Sequence, residues 1–134
     1  MSESAESRAD TVQRRVLGPD HPPGSAPATK AEAAFRALAS REIWAGVWDR
    51  PGLDLATRRA ITMAVLIALG HPEGLFAHAR GALADGMTAE EIGEIVMHCG
   101  LYCGAPATAA AFQALRPLLT DAGAPGGVAD ADGA

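Results

Sequence analysis

A nearly uninterrupted apolar stretch, residues 61–69, constrains the fold of this chain more than any other feature. Apolar side chains occupy almost every position around the helix that this stretch would form, so no single face is left to meet water. Asp54 is placed to cap the start of this helix, and Gly70 is placed to end it. Such a helix requires a central position in the subunit, an interface with another subunit, or both.

The composition suits an aliphatic, helical core. The chain has 134 residues, of which 49% are hydrophobic but only 4% are aromatic, and alanine is abundant. This length is typical of a single domain. No strand-like alternation of useful length and no internal repeat interrupts the helical pattern. The sequence therefore predicts an all-α fold.

Prolines, glycines and capping residues divide the chain into about six helices. The predicted helical segments are residues 1–17, 30–48, 55–69, 72–84, 89–102 and 106–118. Thr88 and Glu91 form a capping box at the start of the fifth segment. We expect residues 1–29 to be an N-terminal arm with a Pro/Gly-rich connector, which either packs on a neighbouring subunit or is loose. Residues 30–120 would be the helical domain, and residues 121–134 a disordered tail.

Charge and hydropathy exclude several classes of function. The formal net charge of -5 argues against nucleic-acid binding and against attraction to an acidic membrane surface. No apolar run reaches the roughly 18 residues that a membrane span needs. The first residues are polar and of mixed charge, unlike a secretory signal. These features predict a cytoplasmic protein.

The best candidate for chemistry is the stretch His71-Pro-Glu-Gly-Leu-Phe-Ala-His78. Pro72 suits the first position of a helix, and His71, Leu75 and His78 then share one helical face. Glu73 lies in the first turn, where the helix dipole favours an anion. These groups would form a catalytic or metal-binding cluster, or else a polar helix start with one histidine in a core or interface.

Two cysteines, Cys99 and Cys103, are four residues apart in a predicted helix. Side chains at this spacing point the same way from adjacent turns, which does not suit an unstrained disulfide. A C-x-x-C redox motif is absent. A thiol-based redox function is therefore the weakest of the functions considered.

Several motifs together resemble those of the carboxymuconolactone decarboxylase family. The N-terminal arm carries Val12-Gln-Arg-Arg-Val-Leu-Gly18, and the central turn carries Trp48-Asp-Arg-Pro-Gly-Leu-Asp54 followed by Thr-Arg. The segment Leu75-Phe-Ala-His78 resembles the E-L-x-x-H helix of the family. Glu91-Ile-Gly-Glu-Ile-Val-Met-His98 and the following Tyr102-Cys-Gly-Ala-Pro-Ala107 resemble its C-terminal signature. The resemblance covers about residues 11–119 in order.

This resemblance implies an alkyl hydroperoxidase D-like helical subunit in a ring-shaped homo-oligomer, a hexamer or a trimer. It implies no metal and no organic cofactor. The reaction implied is the conversion of 4-carboxymuconolactone to 3-oxoadipate enol-lactone and carbon dioxide, in the catabolism of aromatic compounds. The partner is then a small acidic molecule. The peroxidase relatives carry a C-x-x-C before the equivalent of His78, whereas this chain has His71 and Gly74 there.

The resemblance also assigns roles to individual residues. His78 matches the family histidine and is expected to donate a proton, since imidazole changes charge near neutral pH. Glu73 would orient a nearby imidazole. Arg50 and Arg58 would bind substrate carboxylates through their planar forks, or else form structural ion pairs.

The remaining candidates are expected to line the pocket. His98 and Tyr102 stand four residues apart, so both can donate to an oxyanion from one wall, although Tyr102 also suits core packing. Trp48 and Cys103 complete the predicted lining, with packing in the core as the alternative for each.

Departures from the family pattern leave the substrate open. The usual glutamate of E-L-x-x-H is replaced by Gly74, and the serine after the Thr-Arg pair by Arg59. Ala109 and Ala110 follow Thr108 where the family tends to carry Asn-His. The alternative hypothesis is therefore a divergent member with another lyase or isomerase activity, or a non-catalytic role, in a specialised biosynthetic pathway.

Overall fold

Helices account for nearly all the regular structure. The computed structural model describes residues 3–123. It contains six α-helices and one π-helical segment, π1: α1 (Ala5–Leu17), α2 (Lys30–Ser40), π1 (Arg41–Trp48), α3 (Leu55–Leu69), α4 (Pro72–Ala84), α5 (Ala89–Cys103) and α6 (Ala105–Gly123). Residues 3–123 contain no strand, which confirms the predicted all-α fold. Helix α6 includes the first residues of the predicted tail, and the rest of that tail lies outside the described residues.

Local capping signals set the helix boundaries as predicted. The Asp54 carboxylate accepts a hydrogen bond from the backbone N–H of Thr57 at 2.7 Å. The Thr88 hydroxyl accepts one from the N–H of Glu91 at 3.0 Å. Gly70 ends α3 with a φ of 73°, in the left-handed region that favours glycine. These interactions depend on residues close in sequence, which is why the sequence predicts them.

The predicted helix over residues 30–48 is helical throughout, but its backbone geometry changes along its length. It is divided, because the backbone changes from α2 to π1 at Ser40–Arg41. Its apolar positions are also mostly exposed: α2 buries none of its residues, and Phe35 is 68% exposed. Trp44 of π1 is the exception, and it is buried.

Helices α3 to α6 form the main body around an aliphatic core. Its buried members come from all four helices: Met63, Ile67, Leu75, Ala79, Ala82, Ile92, Val96, Cys99, Ala111 and Leu115. Small side chains on α4 let the helices approach closely. Burying such side chains contributes about 25 cal/mol per Å² of apolar surface removed from water.

A second, smaller cluster joins α1 and π1 to α4. Its buried members are Ala9, Val12, Val16, Leu17 and Trp44. The contact with α4 depends on Gly81, since a Cβ atom there would lie 2.0 Å from the carbonyl oxygen of Val16. Residues 5–17 therefore pack on their own chain. The predicted domain division at residue 29 stays a prediction.

Helix α3 is buried along one side only. Arg59, Met63 and Ile67 are buried, whereas Ile61 and Val65 on another side are exposed. The predicted central burial of this helix is thus wrong for the single chain, because no element of the described chain covers that side. An interface with another subunit remains as the alternative. None of the described helices combines the length and apolar character needed to cross a bilayer.

Candidate active site

His78 lies against two tryptophans where α4 faces π1. Its ring stacks on that of Trp48, with centroids 5.7 Å apart and planes inclined by 14°. The centroid of Trp44 is 6.2 Å from that of His78. The two indoles are themselves 5.9 Å apart. The structure thus brings together two of the predicted site residues, His78 and Trp48, and adds Trp44.

The turn after π1 is fixed from outside by α1. The guanidinium of Arg8 donates two hydrogen bonds to the carboxylate of Asp49, at 2.8 and 2.6 Å. This bidentate ion pair lowers the pKa of Asp49. Because Asp49 follows Trp48 directly, the pair helps to hold the indole against His78.

The surroundings of His78 keep its imidazole neutral. Burial lowers its pKa to about 4, and the positive charge of Arg59 acts in the same direction, as does His21 when it is protonated. Its Nδ1 atom is buried and makes no hydrogen bond within the described chain. A buried polar atom without a partner is unusual in proteins, so Nδ1 is available to a ligand.

Arg58 is the other side chain, among residues 3–123, with a buried nitrogen that makes no hydrogen bond. Its Nη2 donates to the backbone oxygen of Arg50 at 3.0 Å, while its Nε makes no hydrogen bond among residues 3–123. Arg50 itself is exposed. Arg58 therefore reaches the turn that carries Trp48, and it retains hydrogen-bond donors for a carboxylate.

Arg59 is buried, with 2% of its surface exposed. Its guanidinium donates to the carbonyl oxygens of Val16 and Arg15, at 2.7 and 3.1 Å, and to the Asp85 carboxylate at 3.2 Å. It joins the C-terminal end of α1 to α3 and to the end of α4. The arginine that stands at the position of the family serine thus has a structural role here.

His21, in the connector between α1 and α2, contacts Arg80 of α4. Nη2 of Arg80 lies 2.8 Å from Nδ1 of His21. Since arginine has no acceptor, Nδ1 accepts this bond and the proton of the neutral His21 ring is on Nε2. His21 is half-buried, and both burial and the charge of Arg80 lower its pKa. His21 thus contacts α4 across 59 residues of sequence.

His98 and Tyr102 lie elsewhere, on an exposed part of α5. Their rings are 5.6 Å apart, and Tyr102 is 81% exposed. His98 borders an apolar groove of about 690 Å³ between α3 and α5, together with Ile61, Met97 and Leu101. The tilted or stacked ring contacts of His78 are with the two tryptophans instead. The structure does not bring His98 and Tyr102 to His78 within one chain.

The remaining predicted residues of α4 and α5 do not join His78 either. Glu73 and His71 are exposed. Glu73 is five residues from His78, which places the two about 140° apart around the helix. Cys103 is half-buried, and Cys99 is buried with its pKa raised by burial and by Cys103. A raised pKa is the opposite of what a nucleophilic thiolate needs.

The sequence analysis did not assign Trp44 to the site, and it did not predict the contact between His21 and Arg80. Trp44 stands four residues before Trp48, and this spacing was a usable signal for a shared face. No comparable signal pointed to Arg80, because its partner lies 59 residues away in the chain.

Comparison with known proteins gives consistent matches. The model of the carboxymuconolactone decarboxylase family matches residues 29–117. The 4-carboxymuconolactone decarboxylase of Acinetobacter baylyi is 42% identical over 89 residues, which are 66% of this chain and 66% of that protein. The aligned segment thus spans just under two thirds of that relative.

A second relative has a different named substrate. The nitrosuccinic acid decarboxylase npaB of Metarhizium robertsii is 32% identical over 111 residues, 82% of this chain and 78% of that protein. No solved structure matches the chain significantly.

Proposed function

Since the chain belongs to the carboxymuconolactone decarboxylase family, we propose that it decarboxylates a small dicarboxylic acid without a metal or an organic cofactor. The observation that carries the proposal is the neutral, partly buried His78 between two tryptophans, with its Nδ1 unpaired. Arg58, whose Nε makes no hydrogen bond among residues 3–123, retains a donor for the carboxylate of an acidic substrate.

The chemistry for 4-carboxymuconolactone starts with cleavage of the carbon–carboxylate bond. Carbon dioxide leaves, and the electron pair moves through the adjacent alkene to the lactone carbonyl oxygen, which gives an enolate. A proton then returns to carbon, so the dianionic substrate and one proton yield a monoanionic product. Catalysis requires binding of the carboxylates, stabilisation of the enolate oxygen and a proton donor.

His78 is the proposed donor of that proton. In the free protein its low pKa keeps it neutral. A bound dianion raises the pKa of a neighbouring imidazole, since opposite charges within about 4–6 Å favour the charged form. His78 thus takes up a proton when the substrate binds and transfers it to carbon after carbon dioxide has left. Arg58 binds one carboxylate through its free Nε.

A nitro-substituted acid is the second candidate substrate, favoured by the match to the nitrosuccinic acid decarboxylase. Loss of the carboxylate on the nitro-bearing carbon leaves a nitronate, whose charge lies on oxygen as that of the enolate does. Both reactions need the same three functions from the protein. Gly74, which stands where the family usually has a glutamate, is consistent with a pocket that differs from that of the lactone enzymes.

Assembly into a homo-oligomer, as a hexamer or a trimer, belongs to the same proposal. Large apolar side chains of α3 and α5 are exposed around the groove that His98 borders, and Leu101 is 86% exposed. Soluble monomers rarely expose such continuous apolar surface. His98 and Tyr102 would act in catalysis only at an interface between subunits. A cytoplasmic location stays a prediction.

The test is the release of carbon dioxide from 4-carboxymuconolactone and from nitrosuccinate by the purified full chain. We expect turnover of at least one acid, and the higher kcat/KM identifies the better substrate. Release of carbon dioxide from neither acid at micromolar enzyme would contradict the proposed activity.

A further inference from the structure

We infer that Arg8 of α1 is a positioning residue for the decarboxylation. Through its ion pair with Asp49 it holds the Trp48 indole on His78 and so keeps water away from the imidazole. The inference rests on the proposed function, in which His78 donates the proton. Arg8 lies before residues 29–117, which the family model matches, so that match does not extend to it.

The first observation concerns how the turn after Trp48 is held. Trp48 is half-buried at the end of π1, and the turn that follows it is exposed. Two side chains from outside this turn donate hydrogen bonds to it. Arg8 donates to the Asp49 carboxylate, and Arg58 donates to the carbonyl oxygen of Arg50. Arg8 is therefore the connection between α1 and the turn.

The second observation is the geometry of this ion pair. Nε and Nη2 of Arg8 donate to the two carboxylate oxygens of Asp49, at 2.8 and 2.6 Å. Such a two-point contact fixes orientation as well as distance, because the planar guanidinium matches the plane of the carboxylate. The carboxylate of Glu3 is farther away, at 3.8 Å. Since Arg8 and Asp49 are 41 residues apart, their pair joins α1 to the turn rather than supporting a single helix.

The third observation is that α1 lies against both elements that enclose His78. Its buried residues form one cluster with Trp44 of π1, and Ala77, the residue before His78 on α4, packs against the same cluster. Trp44 is buried in this way, whereas Trp48 is only half-buried. The cluster thus fixes the first indole, and Arg8 supplies the corresponding anchor for the second.

The position of Trp48 affects the proton transfer because its ring is the one that stacks on His78. The ring centroids are 5.7 Å apart, and the planes are inclined by 14°. With the indole in place, burial disfavours the imidazolium until an anionic substrate binds. With the indole displaced, water reaches the imidazole and solvates its proton. A proton donor that is misplaced in this way transfers its proton more slowly.

A purely structural role for the ion pair predicts different measurements. An exposed pair adds little to stability, so its loss would lower the melting temperature slightly and leave the surroundings of His78 unchanged. A positioning role predicts that the pKa of His78 and the exposure of the indoles to water both change in a protein that is still folded.

The experiment is an NMR titration of His78 in the full chain and in Arg8→Gln, with the signal assigned from His78→Phe. We expect the pKa of His78 to rise from about 4 by at least about 1 in Arg8→Gln, towards its ordinary value of 6.5. Arg59 and protonated His21 also lower this pKa, and neither is replaced in the variant. A rise therefore reports the entry of water.

Tryptophan fluorescence gives an independent measurement of the same displacement. The chain has two tryptophans, and both contact His78. Quenching of their fluorescence by acrylamide should increase in Arg8→Gln, because the Trp48 indole becomes more accessible to water. Unchanged quenching in a folded Arg8→Gln variant would contradict the inference.

Two further variants separate positioning from charge and from folding. Arg14→Gln removes an exposed guanidinium from the same helix and should leave the pKa of His78 near 4. Asp49→Ala breaks the pair from the other side and should reproduce the rise even if Arg8→Gln does not fold. A pKa that stays near 4 in folded Arg8→Gln, or in Asp49→Ala if Arg8→Gln does not fold, would overturn the inference. An equal rise in Arg14→Gln would do the same.

Carbon dioxide release distinguishes this inference from the proposed function. With the better of the two acids, kcat should fall about 10-fold or more in Arg8→Gln and stay unchanged in Arg14→Gln. If the unaltered chain is active and Arg8→Gln keeps the same kcat, the positioning role is wrong and the activity stands. If the chain releases no carbon dioxide but the pKa of His78 rises in Arg8→Gln, Arg8 does hold Trp48 on His78 and the proposed activity is wrong.

Discussion

At the scale of single residues, the environment of His78 determines what its imidazole can do. Two indoles exclude water from it, and the guanidinium of Arg59 opposes a positive charge on it. A neutral imidazole at pH 7 accepts or donates a hydrogen bond without carrying charge of its own. The free protein therefore holds His78 ready to be protonated when an anionic substrate compensates the burial of its charge.

The depressed pKa of His78 predicts a pH dependence of stability. Between pH 6.5, the ordinary pKa of histidine, and about 4, the unfolded state binds more protons at this residue than the folded state. The free energy of unfolding should therefore fall as the pH falls through this window, by on the order of 2 kcal/mol from this residue. Chemical denaturation at several pH values measures it.

The matched control for this pH dependence is His78→Phe, which removes the titrating group and keeps an aromatic ring. The variant should lose most of the slope between pH 6.5 and 4. An NMR titration of the imidazole should place its pKa near 4. A pKa of 6.5 or above in the folded protein would contradict the described environment of His78.

Arg59 should contribute far more to stability than Arg15, the other arginine near Asp85. Arg59→Met removes the side-chain donor to the carbonyl oxygens of Val16 and Arg15, the first of them in a buried bond, and we expect a loss of about 3 kcal/mol in the free energy of unfolding. Arg15 is exposed and lies 3.8 Å from Asp85, so Arg15→Met should change stability by less than about 0.5 kcal/mol. Urea denaturation of both variants tests this, and equal losses would contradict it.

The sequence identified His78 as a candidate but did not predict its surroundings. Its position in a helix follows from local spacing, and its role follows from resemblance to a family. Its contacts with Trp44 and Trp48, and the link through His21 to Arg80, join segments that are distant in sequence. Such contacts depend on how helices meet, which local patterns do not specify.

At the scale of helices, the boundaries were largely predictable and the packing was not. Caps at Asp54 and Thr88 depend on residues three positions away. The change from α2 to π1 at Arg41 has no comparable local signal in the sequence. This change of backbone geometry affects the site, because π1 carries Trp44 and Trp48 on the side that faces α4.

The close approach of α1 and α4 predicts opposite effects for two glycine substitutions. In Gly81→Ala the new Cβ would meet the Val16 carbonyl at 2.0 Å and the Leu17 Cα at 2.8 Å, so α1 must move. We expect a loss of at least about 2 kcal/mol, as for an overpacked core. Thermal unfolding followed by circular dichroism measures the change.

Gly93→Ala is the control for this substitution, because nothing lies within 4 Å of a Cβ atom at that position of α5. The variant should be stabilised by about 0.5–1 kcal/mol, since alanine favours the helix over glycine. Similar effects of the two substitutions would contradict the described contact between α1 and α4.

At the scale of the whole molecule, the exposed apolar side chains are the main feature that a single chain does not explain. Phe35 and Leu38 on α2, and Met97 and Leu101 on α5, are all exposed. The sequence showed that α3 is apolar on nearly all sides, but it did not show which side stays exposed in the single chain. Which surfaces a partner covers depends on the arrangement of the subunits, which the sequence of one subunit does not specify.

The apolar surfaces predict a molar mass above that of the 13.7 kDa chain. Light scattering coupled to size exclusion should give three or six times the mass of the chain, as proposed. Leu101→Glu places a charge on the exposed surface of α5 and should reduce the assembly, because burying an unpaired charge is unfavourable. Glu6→Lys, in the first turn of α1, should not change the mass. A monomer in the unaltered protein at micromolar concentration would contradict the proposal.

The most direct test of the account is the initial rate of carbon dioxide release by the chelator-treated chain and by its His78→Gln variant. With the better of the two acids as substrate, the unaltered chain should keep its full rate after removal of metal ions. His78→Gln should be about 100-fold slower or more while it keeps the same assembly, as expected when a positioned proton donor is lost. An unchanged rate in a correctly assembled His78→Gln variant would contradict the central role of His78.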